Sequence, residues 1–233
     1  EEMDKGARVL WPSVQPIFKL MRWKWDNGSK AFNTEYMNNP IDTESMLFNP
    51  ETFEYHDGKN IDFSQLDYYM GIDFAMGKQK GDYSAITVVA HNPDTDVCYV
   101  VDSYGERVKP NEFLDVIVRK VTEYQPHAIA AEAQMAQEFF VDELKRALTG
   151  TGYPAHSRVK KIQQRQKKEL RIEAMLPDIE SGRIQFSRRH ALLLEQLERY
   201  GTNSHDDLPD SLQMAVSVSR KSKRRLRDKP AWL

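Results

Sequence analysis

The stretch Tyr68-Tyr69-Met70-Gly71-Ile72-Asp73-Phe74 decides the reading of this chain. It is a short apolar run of strand length with a carboxylate, Asp73, next to its end, and a Gly- and Lys-bearing loop (Gly77 to Gly81) follows it. Ser84–Asn92 and Val97–Tyr104 read as two further strands, joined by the hairpin turn Pro93-Asp94-Thr95-Asp96. After Lys109-Pro110-Asn111, the residues Phe113, Leu114, Ile117, Val118 and Val121 recur at helical spacing. His127–Ala131 is then a small buried strand ending at Glu132. A helix over about Gln137–Leu148 closes at Gly150 and Gly152. A short strand near Ala155–Val159 leads into a basic helix that Pro177 kinks or ends. Arg183–Phe186 reads as a strand, and His190–Tyr200 and Leu208–Ser219 as helices.

A meander followed by βαβ crossovers predicts an α/β fold: a mixed sheet of five strands or more, flanked by helices. The right-handed crossover places the strand ending at Glu132 beside, and parallel to, the strand ending at Asp73. Two carboxylates then emerge at neighbouring strand ends, where the strand order reverses and where ligands of α/β sheets gather. Such acids are costly to bury side by side without a cation. A divalent ion with oxygen ligands, Mg²⁺ or Mn²⁺, meets that need. A third source of acids, His205-Asp206-Asp207-Leu208-Pro209-Asp210, precedes the last helix. Helix capping accounts for one aspartate there, but poorly for three in five positions. Asp82 reads as a turn residue or as a neighbour of the ligands. His205 reads as a residue that orders a ligand carboxylate, assists a proton, or merely precedes the helix.

Charge points to the partner. The chain has 233 residues and a formal net charge of −2. Residues 158–171 carry seven Lys/Arg against Glu169, and residues 220–229 carry seven against Asp228. Each segment is +6, which leaves −14 for the rest. Concentrated basic stretches near carboxylates suit a polyanion, although a solvated helix face and a tail would look the same. The single cysteine, Cys98, excludes an internal disulfide and a cysteine zinc site, and reads as an inert buried thiol. No apolar run approaches the roughly 20 residues of a membrane span. The opening Glu1-Glu2-Met3-Asp4 is unlike a secretion signal and suggests a piece of a longer protein. Residues 1–67 hold three of the four Trp (Trp11, Trp23, Trp25), a short helix within Lys19–Phe32 and turn-rich Asn-Pro pairs. They read as a linker or docking arm, with a domain over 68–219 and a basic tail over 220–233.

Taken together, Tyr69-Met70-Gly71-Ile72-Asp73 with Gly81-Asp82-Tyr83-Ser84-Ala85, Ile129-Ala130-Ala131-Glu132 and His205 to Leu212 resemble the C-terminal nuclease domain of the large terminase subunit of tailed bacteriophages and prophages. Lys168 to Ile172, Glu180 to Ile184 and the Trp11, Phe32, Tyr36 and Asn39-Pro40 arm are similar as well. The resemblance implies a ribonuclease-H-like fold and a metal-dependent endodeoxyribonuclease that cuts concatemeric viral DNA during packaging. By position, Asp73 and Glu132 match the first and second metal-binding acids. Asp207 is the choice for the third, with Asp206 close behind. Asp210, about a turn later, joins Asp82 and His205 as a possible support. Two ions roughly 3.5–4 Å apart would act on the phosphodiester, with Asp73 bridging them. Lys160, Lys161, Lys167, Lys168 and Arg171 would hold the backbone of double-stranded DNA. The ATPase motor of such proteins would lie upstream, since no G-x-x-x-x-G-K-[S/T] loop occurs in these residues. That motor, the small terminase subunit and the portal are the implied partners, the host bacterial cytoplasm the implied location, and a monomer the implied state of the isolated domain. Three alternatives remain open: a catalytically silent DNA- or portal-docking module, a resolvase-like nuclease of the same fold, and a sugar-kinase or actin-like ATPase. The last would need a second phosphate loop that the sequence lacks.

Overall fold

The computed structural model describes residues 9–36, 46–74, 83–132, 137–162, 166–201 and 205–221. They form two compact units. The first contains the helix α1 (Ile17–Glu35), longer than the segment expected from sequence. Trp23 packs edge-on against Tyr36 at 4.9 Å, and Phe32 stacks on Tyr36 at 5.4 Å.

The second unit begins at Phe48. Phe48 is fully buried and Phe53 nearly so. The segment from Phe48 to Leu66, read from sequence as the end of the arm, therefore packs with the domain that follows. Tyr55 forms a bridge to Phe186, and Phe53 packs on the Phe186 ring at 5.0 Å.

Among the described residues six strands make one sheet: β1 (Asp67–Asp73), β2 (Ser84–His91), β3 (Cys98–Glu106), β4 (Ala128–Glu132), β5 (Val159–Ile162) and β6 (Ile184–Gln185). Their order is β5-β4-β1-β2-β3-β6. The β1-β2-β3 meander is antiparallel, whereas β4 lies parallel to β1 and β5 parallel to β4. The juxtaposition of β1 and β4 deduced from crossover handedness is present, with Ile72 opposite Ala131.

Strand alternation sorts the two faces of the sheet. Met70 and Ile72 of β1 with Phe74 just past it, Ile86 and Val88 of β2, and Ile129 and Ala131 of β4 enter one apolar cluster. Helices α2 (Pro110–Tyr124) and α3 (Gln137–Gly150) cover that face through Phe113, Ile117, Val121, Phe140, Leu144 and Leu148. Gly71 and Asp73 point the other way, as do Ala130 and Glu132 by the same period. That second face carries the last helix.

Two readings of the chain are corrected. Ala155–Arg158 is a single helical turn, α4, and the strand is the following Val159–Ile162. Its lysines Lys160 and Lys161 are compatible with a strand because β5 is the sheet edge, where charged side chains reach water and discourage further pairing. The expected continuous basic helix is two short ones, α5 (Lys168–Glu173) and α6 (Leu176–Glu180). Pro177 sits in the first turn of α6, where its missing N–H costs nothing, so it starts a helix instead of ending one. Helix α7 (Ala191–Glu198) precedes the last helix, α8 (Asp207–Lys221). Helix α8 packs on β1, β2 and β4 and is covered in turn by α5 and α7, which explains why nearly all its described side chains are buried. No helix among the described residues is long and apolar enough to cross a membrane.

Cys98 is fully buried, with Sγ 3.5 Å from Ser219 Oγ, and burial pushes its pKa up to about 11. It is a neutral thiol at physiological pH, as read from the sequence.

Candidate functional site

Helix α8 reaches the centre of the sheet because Gly71 lets it. A Cβ built on Gly71 would lie 1.9 Å from Ser211 O and 2.7 Å from Ala215 N. A hydrogen bond of 2.7 Å between Thr87 Oγ1 and Ser211 Oγ ties the same turn to β2. The first turn of α8 is thereby held over the end of β1. An amide of its first turn is served from outside: Leu208 N–H donates to Gln196 Oε1 of α7 at 2.9 Å. Gln196 was not singled out from sequence, because a glutamine inside an apolar helix announces no partner.

The acids meet at this point. Asp73 is nine-tenths buried at the end of β1. Burial, above all, pushes its carboxyl up to about 7; Lys168 works against that shift, while Asp210, Asp207 and Glu132 add to it. Four carboxylates from β1, β4 and α8 thus stand close enough for three of them to disfavour ionisation of Asp73. Asp207 Oδ2 accepts the Tyr83 N–H at 3.2 Å and lies 3.8 Å from His205 Nδ1. Asp207 and Asp210 also stand in the first turn of α8, where the helix dipole favours negative charge.

Two cations from α5 enter the same cluster. Lys168 Nζ lies 2.8 Å from Asp206 Oδ1 and 3.6 Å from both Asp73 Oδ2 and Asp210 Oδ2. Its pKa is raised: burial disfavours the ammonium, but Asp73, Asp210 and Asp206 outweigh it. Arg171, one turn on, is buried and forks onto Asp210, with Nη1 at 2.7 Å from Oδ1 and Nη2 at 3.4 Å from Oδ2. Nη1 also donates to Gln213 Oε1 at 3.0 Å. Among the described residues no group of three His, Cys, Asp or Glu side chains is disposed to hold a metal ion as it stands.

Of the five basic residues read as DNA contacts, the structure turns two inward. Arg171 is 7% exposed and committed to Asp210. Lys168 faces the acids. Lys160 and Lys161 lie on β5 beside β4, and Lys167 is exposed just before α5. Lys161 pairs with Asp142 at 2.8 Å and Glu138 at 3.2 Å on the α3 side. Lys160 is in register with Ala130 and so shares the face of Glu132. Asp82 lies outside the described residues, as do residues 222–233 of the basic tail.

One cation here was missed. Arg107, just past β3, sets its guanidinium 4.8 Å over the Tyr83 ring, and its Nη2 lies 3.1 Å from His205 Nε2. The Tyr83 and His205 rings meet edge-on at 4.9 Å. With Nε2 accepting from Arg107, the imidazole proton sits on Nδ1, toward Asp207. Arg107 therefore fixes the ring beside the acid. A lone arginine between a strand and a helix gave no signal of this in sequence.

The buried Arg171–Asp210 pair is structural in its consequences. Arg171→Leu leaves Asp210 buried with half its compensation gone, and should cost about 3 kcal/mol in urea unfolding. A change under about 0.5 kcal/mol would show that the pair does not brace α5 against α8.

The family profile of the terminase RNaseH-like domain matches residues 70–218, which spans β1 through nearly all of α8. No match was found among curated protein sequences. The fold is similar to the human cytomegalovirus terminase nuclease domain, Mn-soaked and inhibitor-bound, with a TM-score of 0.55 at 14% identity over 74% of this chain and 95% of that one. The nuclease domain of the phage P22 large terminase gives 0.55 at 13% identity, over 77% and 97%. That of the bacteriophage SPP1 large terminase with bound Mn gives 0.51 at 16%, over 72% and 97%. These identities are low, and the likenesses speak for the fold alone. The family profile carries more, since it matches well over half of the sequence and includes all three acid-bearing segments: this chain belongs to the terminase RNaseH-like domain family.

Proposed function

We propose that this domain is a divalent-metal-dependent endodeoxyribonuclease that cuts concatemeric viral DNA during genome packaging. The observation that carries the reading is the crowding of Asp73, Glu132, Asp207 and Asp210 at one end of the sheet, with Asp73 buried and its carboxyl raised to about 7. Structural acids are seldom stacked so expensively, whereas metal centres require it. The donors are carboxylate oxygens, the set that Mg²⁺ and Mn²⁺ prefer. Asp73, Glu132 and Asp207 would hold the metal, with Asp206 as a further ligand. Asp210, locked to Arg171, would brace the others. When bound, two such ions would supply a hydroxide nucleophile and stabilise the leaving 3′ oxygen. The protein's own share is to fix Asp73 on a rigid strand, to hold Asp207 through Tyr83 N–H and His205, and to keep α8 in place on Gly71.

For double-stranded DNA we assign Lys160 and Lys167 as backbone contacts, with Lys161 at the flank. Contacts of this kind make binding tolerant of sequence and sensitive to salt. Lys160→Ala and Lys167→Ala should each flatten the slope of log K against log salt by about 0.9, measured by fluorescence anisotropy in EDTA. Arg171→Leu should leave the slope alone. An unchanged slope in both lysine variants would remove them from the interface. In the full protein the partners would be an ATPase motor, a small terminase subunit and a portal, and the host bacterial cytoplasm the place of action.

The test of the activity is plasmid nicking by the domain with Mn²⁺, with and without excess EDTA. Nicking that persists in EDTA sinks the metal reading. A second reading, a DNA-docking module that does not cut, is favoured by one observation: Lys168 and Arg171 already neutralise part of the acidic cluster. Thermal melting separates the two, since a carboxylate metal site must raise the melting temperature with Mn²⁺ and a silent module must not.

A further inference from the structure

We infer that Lys168 is a built-in competitor of the divalent ion, an ammonium that occupies the acidic centre in its resting state and that metal must displace. The inference rests on the metal reading above and concerns how tightly the centre loads.

The two cations in the cluster differ in how they are held. Arg171 is 7% exposed and bonds Asp210 through two nitrogens and Gln213 through one of them. Both of its terminal nitrogens are committed, and it cannot leave without stranding Asp210. Lys168 is 29% exposed, makes one contact of hydrogen-bond length, to Asp206, and stands 3.6 Å from both Asp73 and Asp210. An ammonium on a flexible four-carbon stem is a point charge without directional commitment. It sits at the first residue of α5, next to the exposed Lys167, so its head can swing toward solvent without unwinding the helix. Arg171 thus anchors α5 to α8, while Lys168 is the movable charge.

The exchange balances simply. Lys168 leaves as an ammonium, one divalent ion enters, and the local charge rises by one. Asp73, Asp206 and Asp210 repel one another in the absence of a cation, and Lys168 relieves that repulsion before metal arrives. Every bit of stabilisation it gives the metal-free centre has to be overcome by the incoming ion, so Lys168 lowers the apparent affinity for metal. It acts as a positioning residue: it touches the ligand acids and leaves the phosphodiester to others.

The experiment is an Mn²⁺ titration followed by the electron paramagnetic resonance signal of the free ion, at constant ionic strength and without DNA. The proteins are the unmodified domain, Lys168→Met, Lys168→Gln and Lys168→Arg, each checked for folding by circular dichroism. The two neutral variants should bind Mn²⁺ at least tenfold more tightly, and their melting temperatures should rise more on adding it. Lys168→Arg, which keeps the charge, should bind no more tightly than the unmodified domain. Neutral variants that bind Mn²⁺ no more tightly than an unmodified domain that does bind it would overturn the competition and leave the metal reading standing. If none of the four proteins binds Mn²⁺, the metal reading falls and takes this inference with it. Two neutral variants are used so that poor folding of one leaves the comparison intact.

Discussion

Asp73→Asn should abolish plasmid nicking and, in the absence of metal, make the domain more stable. The two effects have one cause. Asp73 is nine-tenths buried at the end of β1, and burial together with Asp210, Asp207 and Glu132 raises its carboxyl to about 7. Its ordinary value is near 3.8. The native state therefore holds that proton more tightly than the unfolded chain. Stability from this group is greatest below the unfolded value, falls as pH rises from about 4 to about 7, and is level above that. At 1.36 kcal/mol per pH unit, the ionised carboxylate costs the metal-free domain about 4 kcal/mol at pH 8. Asparagine has nearly the same shape and no charge, so the variant should lack that slope. Urea unfolding at pH 5 and pH 8 in EDTA measures it. Two parallel pH profiles would show that Asp73 is not held under electrostatic strain. On the activity side, losing even an outer-shell partner of a metal ligand costs 10- to 100-fold. Replacing a ligand itself should cost more than about 100-fold, and nicking within tenfold of the unmodified domain would remove Asp73 from the centre. A residue whose replacement helps the fold while ending the chemistry is there for the chemistry.

How much of this was legible in the sequence depends on the range of the interaction that decides each feature. The β1–β4 pairing was legible, because an apolar run ending in Asp73 and another ending in Glu132, separated by a hairpin and a helix, allow one handed crossover. The second fact needed, that both acids share a face, follows from the alternation that sends Met70, Ile72, Ile129 and Ala131 into the opposite core. The roles of Lys168 and Arg171 were not legible. In a run of seven basic residues, any one reads as solvated or as a phosphate contact. Only the packing of α5 on α8 turns these two toward Asp206 and Asp210. The strand Val159–Ile162 was misplaced by a few residues for a related reason: its pattern is set by its place at the sheet edge, which no local period reports. Gln196 and Arg107 act through contacts made across the fold, to Leu208 N–H and to His205 and the Tyr83 ring, and such contacts have no sequence signature.

Gly71 makes the strongest demand on the fold, and its replacement should show it. In Gly71→Ala the new Cβ would fall 1.9 Å from Ser211 O, 2.7 Å from Ala215 N and 2.9 Å from Ser211 C. All three are backbone atoms of α8, so no side-chain rotation can relieve them. Ordinary overpacking costs about 1–3 kcal/mol because side chains give way. Here the helix itself must lift off the sheet, and the cost should be of order 5 kcal/mol, in the range reserved for exceptional substitutions. For a domain of this size that is a fall in melting temperature of roughly 10–20 °C. Gly105→Ala is the control within the same sheet. Its Cβ would meet Leu192 Cδ2 and Leu208 Cδ1 at 3.1 Å and Leu208 Cγ at 3.3 Å, side-chain atoms that need give only slightly, so its melting temperature should fall far less. Equal losses in the two variants would show that α8 does not depend on the close approach at Gly71. The consequence reaches the centre as well. Asp207 and Asp210 ride on the first turn of α8, just ahead of Ser211, whose carbonyl meets Gly71, and Asp73 is two residues along β1 from that glycine. A helix displaced by about 1 Å carries those acids away from Asp73, and misplacement on that scale can cost about 100-fold in rate. The glycine in Gly71-Ile72-Asp73 and the aspartate two residues on thus belong to one device: the missing side chain lets the helix in, and the helix brings Asp207 and Asp210 to the strand end.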